Sequence, residues 1–158
     1  MQLFKKSIRK FQYAVNGIFC PNAIKIDYAV KKNNFGDILN PIVVEFFANR
    51  KTTRVASAYY DKYHLLAIGS ILNRATRYSV VWGSGFIEEN SNVIDHPYKI
   101  LAVRGPKTRQ RLLELNIDCP NVYGDPALLM PLIHNPQIQK KFKLGIVPHY
   151  VDFRDERL

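Results

Sequence analysis

Residues 98–126 constrain the fold more than any other part of the chain. The run from Lys99 to Val103 is rich in strand formers and stops at Arg104-Gly105-Pro106, where glycine frees the backbone and proline withholds an N–H group. Residues 107–116 then carry leucines at helical spacing, and residues 117–123 return to a strand pattern. The segment therefore predicts a βαβ unit with Arg104 at the carboxyl end of its first strand. Ligands of open α/β sheets bind at that edge.

Other strands are predicted on both sides of this unit. Four apolar runs read as strands, at residues 23–30, 54–59, 63–68 and 79–82. Several lack strict alternation, which is typical of a parallel sheet covered on both faces. The predicted fold class is α/β, a Rossmann-like, mostly parallel sheet with helices on both faces.

The chain divides into four predicted parts. Residues 1–22 form a basic amphipathic amino-terminal segment and residues 23–130 the Rossmann-like domain. Residues 131–142 are polar and contain Pro131 and Pro136, which is typical of a linker. Residues 143–158 open with an apolar run at 143–147, which we interpret as the first strand of a second domain.

The loop after the first predicted strand contains Asn34, Gly36 and Asp37. Asn40 and Pro41 then read as the N-cap and first position of a helix, whose buried face would be Ile42, Val43, Phe46 and Phe47. A glycine-bearing loop before a helix presents free N–H groups to an anion or to sugar hydroxyls. A capping turn without a ligand is the alternative.

Two further predicted strands end in small residues. Gly69-Ser70 follows the strand at 63–68, and Gly83-Ser84-Gly85 follows the strand at 79–82. Such residues let a ligand approach the backbone closely, although tight βα turns use the same residues. The pattern predicts ligand contact at both turns and leaves the structural alternative open.

The net charge of +10, from 23 Lys and Arg against 13 Asp and Glu, favours anionic partners. No finger, RNP or basic-zipper pattern accompanies the charge, so nucleic acid is not expected. Residues 3–15 have apolar residues at near-helical spacing among lysines and arginines, which predicts a helix that contacts an anionic membrane surface or covers the domain. No export signal and no run near the roughly 20 residues of a membrane span are present, so a cytoplasmic location is expected.

Metal and disulfide sites are not predicted. Cys20 and Cys119 lie far apart and in no C-x-x-C pair, so both are expected to be reduced. His64, His96 and His134 have no companions at metal-ligand spacing.

Six short motifs in order resemble a known family. They are Asn34-Phe35-Gly36-Asp37 with Asn40-Pro41, Gly69-Ser70, Trp82-Gly83-Ser84-Gly85, Ala102-Val103-Arg104-Gly105-Pro106 with Thr108, Tyr123-Gly124-Asp125-Pro126-Ala127, and Pro148-His149-Tyr150. Together they resemble polysaccharide pyruvyl transferases over residues 24–153. The resemblance implies the amino-terminal domain of a GT-B-like transferase plus the start of its second domain.

The resemblance also implies a reaction. Family members move pyruvate from phosphoenolpyruvate onto two sugar hydroxyls as a ketal, without a cofactor. The implied acceptor is a cell-surface polysaccharide or its lipid-linked precursor at the inner membrane face. The alternative is a non-catalytic module that binds an anion or a nucleotide.

Residue types suggest the roles within this reaction. The planar fork of arginine binds carboxylate or phosphate, which makes Arg104 the first choice for the donor anion; an ion pair with Asp125 is the alternative. His149 is the candidate acid–base group, or a structural histidine. Asp37 and Asp125 are expected to bind sugar hydroxyls, to orient Arg104 or to cap helices. The predicted catalytic residues are His149 and Arg104, and the predicted substrate-binding residues are Asn34, Gly36, Asp37, Asn40, Gly69, Ser70, Gly83, Ser84, Gly85, Arg104 and Asp125.

Overall fold

A single parallel sheet organises the chain. The computed structural model describes residues 20–29, 34–139 and 141–147. The five strands are β1 (Ile24–Asp27), β2 (Thr52–Arg54), β3 (His64–Leu66), β4 (Ser79–Trp82) and β5 (Lys99–Ala102). All neighbouring pairs are parallel, in the order β2-β1-β3-β4-β5. This is one of the common doubly wound orders, and its topological switch point lies between β1 and β3.

Helices cover both faces of the sheet, as predicted. Helix α1 (Phe35–Ala48) packs Val44 against Ile26 on one face. Helix α2 (Pro106–Glu114) packs Leu112 against Leu66 and Val81 on the other. The Rossmann-like α/β class is therefore confirmed, while the GT-B-like arrangement with a second domain stays a prediction.

The predicted strand at 54–59 is wrong in its bounds. Pairing with β1 covers Thr52–Arg54, and Ser57–Tyr59 is a 3-10 turn. The chain leaves the sheet because the Asp27 carboxylate accepts hydrogen bonds from the backbone N–H and hydroxyl of Ser57, at 2.8 and 2.6 Å. The Asp27 side chain, at the end of β1, thus limits the length of the neighbouring strand β2.

The predicted strand at 117–123 is also wrong. Its single sheet contact among the described residues is an isolated parallel bridge between Val103 and Tyr123. Pro120 has no N–H group to donate to a ladder. Ile117 and Cys119 are instead buried beneath α2, where they extend its core cluster.

Residues 143–147, predicted as a strand, form neither helix nor strand. A short helix α3 (Met130–Ile133) begins at the last residue of the predicted domain and extends into the region predicted as a linker. The membrane-binding helix predicted at 3–15 lies outside the described residues. The division into domains stays a prediction.

Helix α1 begins earlier than the sequence pattern indicates. Asn34, not Asn40, is its N-cap, and the Asn34 side chain accepts a hydrogen bond from Gly36 N at 3.0 Å. Pro41 therefore lies inside the helix and cannot donate to the carbonyl of Asp37. The side-chain amide of Asn40 donates to that carbonyl instead, at 3.2 Å. This replacement bond is why a proline inside the helix is tolerated.

The buried face of α1 also differs from the prediction. Leu39, Asn40, Val43 and Val44 face the core, whereas Ile42, Phe46 and Phe47 remain about half exposed. Residues 39, 43, 40 and 44 form a single stripe at a spacing of four. Hydrogen bonds between the Asn40 side chain and Ile68, just after β3, turn that stripe inward.

The described helices contain no segment that is long and apolar enough to cross a bilayer.

Candidate functional site at the carboxyl edge of the sheet

The parallel sheet brings most of the predicted site residues to one edge. Gly69 and Ser70 follow β3, residues 83–85 follow β4, and Arg104 follows β5. The amino-terminal turn of α1, with Asp37, reaches the same edge after β1. Residues predicted from separate motifs therefore meet at the position where open α/β sheets bind ligands.

Arg104 lies at the centre of this cluster. Its Nε donates to Asp125 Oδ2 at 3.1 Å, and its Nη2 lies at the same distance from that oxygen. Nη1 donates to Ser70 Oγ at 2.6 Å. Of the five guanidinium N–H groups, two make no hydrogen bond to the described residues. The side chain is 36% exposed, so a ligand can reach part of it.

Asp125 fixes the guanidinium with one oxygen and its own loop with the other. Its Oδ1 accepts from Ala127 N at 3.0 Å, which caps the 3-10 turn Pro126–Leu129. Gly124 N also donates to Val103 O at 3.0 Å, and this bond anchors the loop beside β5. The ion pair considered as an alternative role for Arg104 is thus present, and it leaves part of the guanidinium free to bind.

Hydrogen bonds join the turns after β3, β4 and β5 into one unit. Ser84 Oγ and Gly85 N both donate to Gly69 O, at 2.9 and 3.1 Å. Arg104 N in turn donates to Ser84 O at 3.2 Å. Ser84 is fully buried, so its hydroxyl positions the Gly69-Ser70 turn in this structure.

Close packing explains Gly83 and Gly85. A Cβ atom on Gly83 would lie 2.3 Å from Pro126 Cδ and 2.5 Å from Gly124 O, and the φ of Gly83 is +85°. A Cβ on Gly85 would lie 3.1 Å from Thr108 Oγ1 and from Arg104 Cβ. At these two positions protein atoms occupy the space beside the glycine. The tight-turn alternative accounts for both residues, and contact with substrate stays a prediction.

Asn40 is buried and connects α1 to β3. Its amide donates to Ile68 O at 3.0 Å and its side-chain oxygen accepts from Ile68 N at 2.9 Å. Together with its bond to Asp37 O, this fixes the first turn of α1 against the turn after β3. Asn40 has no exposed surface in this structure.

Asp37 lies beside Gly69. Its Oδ1 is 3.9 Å from the point that a Cβ on Gly69 would occupy. Its carboxylate makes no hydrogen bond or ion pair with the residues that the structure describes. Partial burial raises the pKa of Asp37, and the positive charge of Arg74 opposes that rise.

Sequence reasoning missed a second charged pair at this edge. Asp27, at the end of β1, is buried, and its Oδ1 accepts from Arg74 Nη1 at 3.1 Å. Arg74 remains 36% exposed. A carboxylate at the end of a buried strand is the signal that would have indicated Asp27. Arg74, in a loop 47 residues away, has no such local signal.

Histidine contributes little to this edge among the described residues. His149, the predicted acid–base group, lies outside them. His64 is buried at the opposite edge, between Lys62 O at 2.9 Å and Ser79 Oγ at 2.8 Å. Burial lowers the pKa of His64, which favours a neutral ring that accepts from Ser79.

A cleft of about 520 Å³ lies beside the cluster, between residues 86–90 and α2. Its lining includes Lys107, Thr108 and Arg111 but none of Arg104, Ser70 or Asp37. The cleft is therefore a neighbouring feature and not part of the Arg104 cluster. The described part of the chain contains no group of three or more His, Cys, Asp or Glu side chains arranged to hold a metal ion.

Comparison with known proteins identifies the family of this chain. The sequence profile of the polysaccharide pyruvyl transferases matches residues 12–157. The chain belongs to the polysaccharide pyruvyl transferase family. It is also 29% identical over 133 residues to an uncharacterized protein of Acanthamoeba polyphaga mimivirus, an alignment that covers 82% of this chain and 46% of that protein. The chain thus spans about half the length of this relative. No solved structure matches the chain significantly.

Proposed function

We propose that this chain takes part in transferring pyruvate from phosphoenolpyruvate to a sugar of a cell-surface polysaccharide or of its lipid-linked precursor. Membership of the polysaccharide pyruvyl transferase family supports pyruvyl transfer to a polysaccharide. Arg104 is the observation that carries the proposal. Its guanidinium is fixed at the ligand-binding edge of the sheet with two N–H groups left for an anion.

The reaction balances without a cofactor. Two sugar hydroxyl oxygens form bonds to C2 of phosphoenolpyruvate, and the bond from C2 to the phosphate oxygen breaks. The two hydroxyl groups lose two protons in total. One proton is gained at C3, which becomes a methyl group, and the other leaves with phosphate. The products are a cyclic ketal bearing a carboxylate and inorganic phosphate.

Arg104 suits the donor because phosphoenolpyruvate carries a carboxylate and a phosphate. Arginine binds either group through paired N–H donors, and a fixed guanidinium loses little conformational freedom on binding. Asp125 and Ser70 provide that fixation. We assign the proton at C3 to His149, whose ordinary pKa near 6.5 suits proton exchange at neutral pH.

The remaining parts of the proposal follow from the sequence. The turns with Asn34, Gly36, Gly69 and Ser70, of which only Asn34 is fully exposed, would contact substrate hydroxyls or phosphate. The basic segment 3–15 would hold the protein at the cytoplasmic face of the inner membrane, where a lipid-linked acceptor is available.

A second candidate is a non-catalytic anion-binding module. The fixed guanidinium of Arg104 would serve such a module equally well, because it can bind an anion whether or not a reaction follows. Binding of phosphoenolpyruvate without turnover would identify it.

Phosphate release from phosphoenolpyruvate tests the proposal, with nitrophenyl hexosides as acceptors and calorimetry to measure donor binding. Arg104→Ala should weaken donor binding about 10- to 100-fold, because it removes charge-assisted hydrogen bonds. Arg77→Ala is the matched control, since Arg77 also pairs with an aspartate, Asp95 at 2.9 Å, but is 71% exposed and precedes β4. Equal donor affinity in both variants would refute the assignment of Arg104.

A further inference from the structure

The cleft between residues 86–90 and α2 (the α2 cleft) adjoins the Arg104 cluster. A Cβ atom on Gly85 would lie 3.1 Å from Arg104 Cβ and 3.1 Å from Thr108 Oγ1, and Thr108 lines the cleft. One buried glycine therefore separates the proposed donor site from the α2 cleft. The cleft volume, about 520 Å³, lies within the range of roughly 300–1,000 Å³ that is typical of ligand sites.

Both walls of the α2 cleft are held in place without a ligand. Helix α2 is anchored to the core by Leu112, which is fully buried. Arg111 lines the cleft and donates to Ser91 O at 3.0 Å and to Asn92 Oδ1 at 2.8 Å. These bonds join α2 to the segment that continues directly from the opposite wall. A preformed cleft of this kind loses little conformational freedom when it binds a ligand.

Thr108 presents an unpaired hydroxyl to the α2 cleft. The residue is only 8% exposed, and its hydroxyl makes no hydrogen bond to the described residues. In the described part of the chain every fully buried side-chain nitrogen or oxygen has a partner, so Thr108 Oγ1 must retain some contact with solvent. A hydroxyl can both donate and accept a hydrogen bond. Thr108 is therefore placed to bond a polar group of a ligand.

The charges of the lining favour an uncharged ligand. Three glutamates, Glu88, Glu89 and Glu114, outnumber the two cations, Lys107 and Arg111. Lys107 pairs with Glu89 at 3.2 Å and Arg111 with Glu114 at 3.1 Å. The carboxylate of Glu88 makes no hydrogen bond or ion pair with the described residues. This unpaired negative charge would repel an anion, whereas it would accept hydrogen bonds from neutral hydroxyl groups.

The same lining suits a sugar ring. Ile87 is 71% exposed and offers an apolar surface to the C–H groups of a pyranose. Asn90 and Gln110 add side-chain amides, which donate and accept like the sugar hydroxyls themselves. An apolar surface with a few polar groups around it is the usual composition of a small-molecule site.

We infer that the α2 cleft binds an uncharged sugar unit of the acceptor, next to the sugar that receives pyruvate. The inference rests on the function proposed above. The reacting sugar lies beside the donor at Arg104, and the neighbouring unit of the same saccharide enters the cleft past Gly85. Contacts to this second unit strengthen binding of the acceptor without taking part in bond formation. An acceptor with two sugars is therefore preferred to a single hexose.

Sugar binding by the unaltered chain tests the inference without requiring turnover. The probes are the nitrophenyl glycosides of lactose, cellobiose and maltose, compared with those of galactose and glucose, and binding is followed by the amide signals in nuclear magnetic resonance spectra. At least one disaccharide should move the signals of residues 86–90 and 107–111. It should also bind about fivefold or more tightly than the glycoside of its own non-reducing hexose, because it makes additional hydrogen bonds.

Two variants remove the groups that carry the inference. Thr108→Val removes the unpaired hydroxyl and should weaken disaccharide binding about 2- to 10-fold. Glu88→Ala removes the unpaired carboxylate of an exposed residue and should weaken it about 10-fold or more. Binding of the single hexoses should change by less than about twofold in both variants, because their contacts lie outside the α2 cleft.

Thr53→Val is the matched control for Thr108→Val. Thr53 is half-buried on β2, at the opposite edge of the sheet from β5, and its hydroxyl also makes no hydrogen bond to the described residues. Disaccharide affinity should stay unchanged in this variant. Circular dichroism of each variant shows that the fold is retained.

The outcomes separate this inference from the proposed function. Disaccharides that leave the cleft signals unmoved, or that bind Thr108→Val and Glu88→Ala as tightly as the unaltered chain, overturn the sugar site; phosphate release from phosphoenolpyruvate by the same chain would leave pyruvyl transfer standing. Disaccharide binding in the cleft without phosphate release supports the sugar site and overturns the transfer in favour of the binding module. Inorganic phosphate that moves the cleft signals more than the disaccharides do would make the cleft an anion site and overturn the inference.

Discussion

Replacing Gly83 with alanine should disturb both the stability of the fold and the position of Arg104. The φ of Gly83 is +85°, and its missing side chain leaves room for the loop that carries Asp125. A Cβ would lie 2.3 Å from Pro126 Cδ and 2.5 Å from Gly124 O. Neither neighbour is the end of a flexible side chain, so the backbone itself must move.

The size of the effect follows from two contributions. A non-glycine residue at positive φ costs roughly 1–2 kcal/mol. Forcing an extra methyl group into a packed site costs about 1–3 kcal/mol. The free energy of unfolding should therefore fall by about 2–5 kcal/mol, out of a total of about 5–15 kcal/mol for an ordinary domain.

Urea denaturation followed by circular dichroism measures the change in the free energy of unfolding. Thermal denaturation gives a second measure: at about 2–4 °C per kcal/mol for a chain of this size, the melting temperature should fall by roughly 4–20 °C. Gly105→Ala is the matched control, because Gly105 is extended and has nothing within 4 Å of its added Cβ. A Gly83→Ala protein within about 0.5 kcal/mol of the unaltered chain would refute the packing argument, since that is the range of neutral surface substitutions.

Two further predictions concern buried polar groups. Asn40→Ala should lower the free energy of unfolding by about 2–4 kcal/mol, because it leaves the buried N–H and C=O of Ile68 unpaired; an unchanged urea midpoint would contradict this. His64 should make stability fall as the pH falls below 6.5. Its pKa is depressed in the folded state, so the unfolded chain binds the proton first, with a slope of up to about 1.4 kcal/mol per pH unit. His64→Leu should remove this component of the slope between pH 6.5 and 5, and an unaltered slope would show that another group titrates.

Local chemistry accounts for the elements that the sequence predicted well. Strand β4 was predicted with its observed bounds, and α2 begins at the proline that follows Gly105. Both rest on signals within a few residues: an apolar run bounded by glycine, and a Gly-Pro pair before leucines at helical spacing. The positions of Arg104 and Asp125 followed because each adjoins such a turn.

The start of α1 shows where local signals stop being sufficient. Asn34 and Asn40 are both good N-caps by residue type, and Pro41 favours the second. The structure uses Asn34 because Asn40 is engaged with Ile68, which is 28 residues away in the chain. A hydrogen bond of that range exists only after β3 has paired beside β1.

The same reasoning applies to the candidate site. Residue types and turn signals alone determined that the chain is an α/β protein with an arginine at a strand end, and the order of the motifs indicated its family. Only the tertiary structure decided that Arg104 meets Ser70 across 34 residues and that Arg74 meets Asp27 across 47. The sequence pattern describes each strand by itself, whereas these contacts depend on which strands become neighbours. That order is set by packing over the whole sheet, because both helices must bury their apolar faces at once.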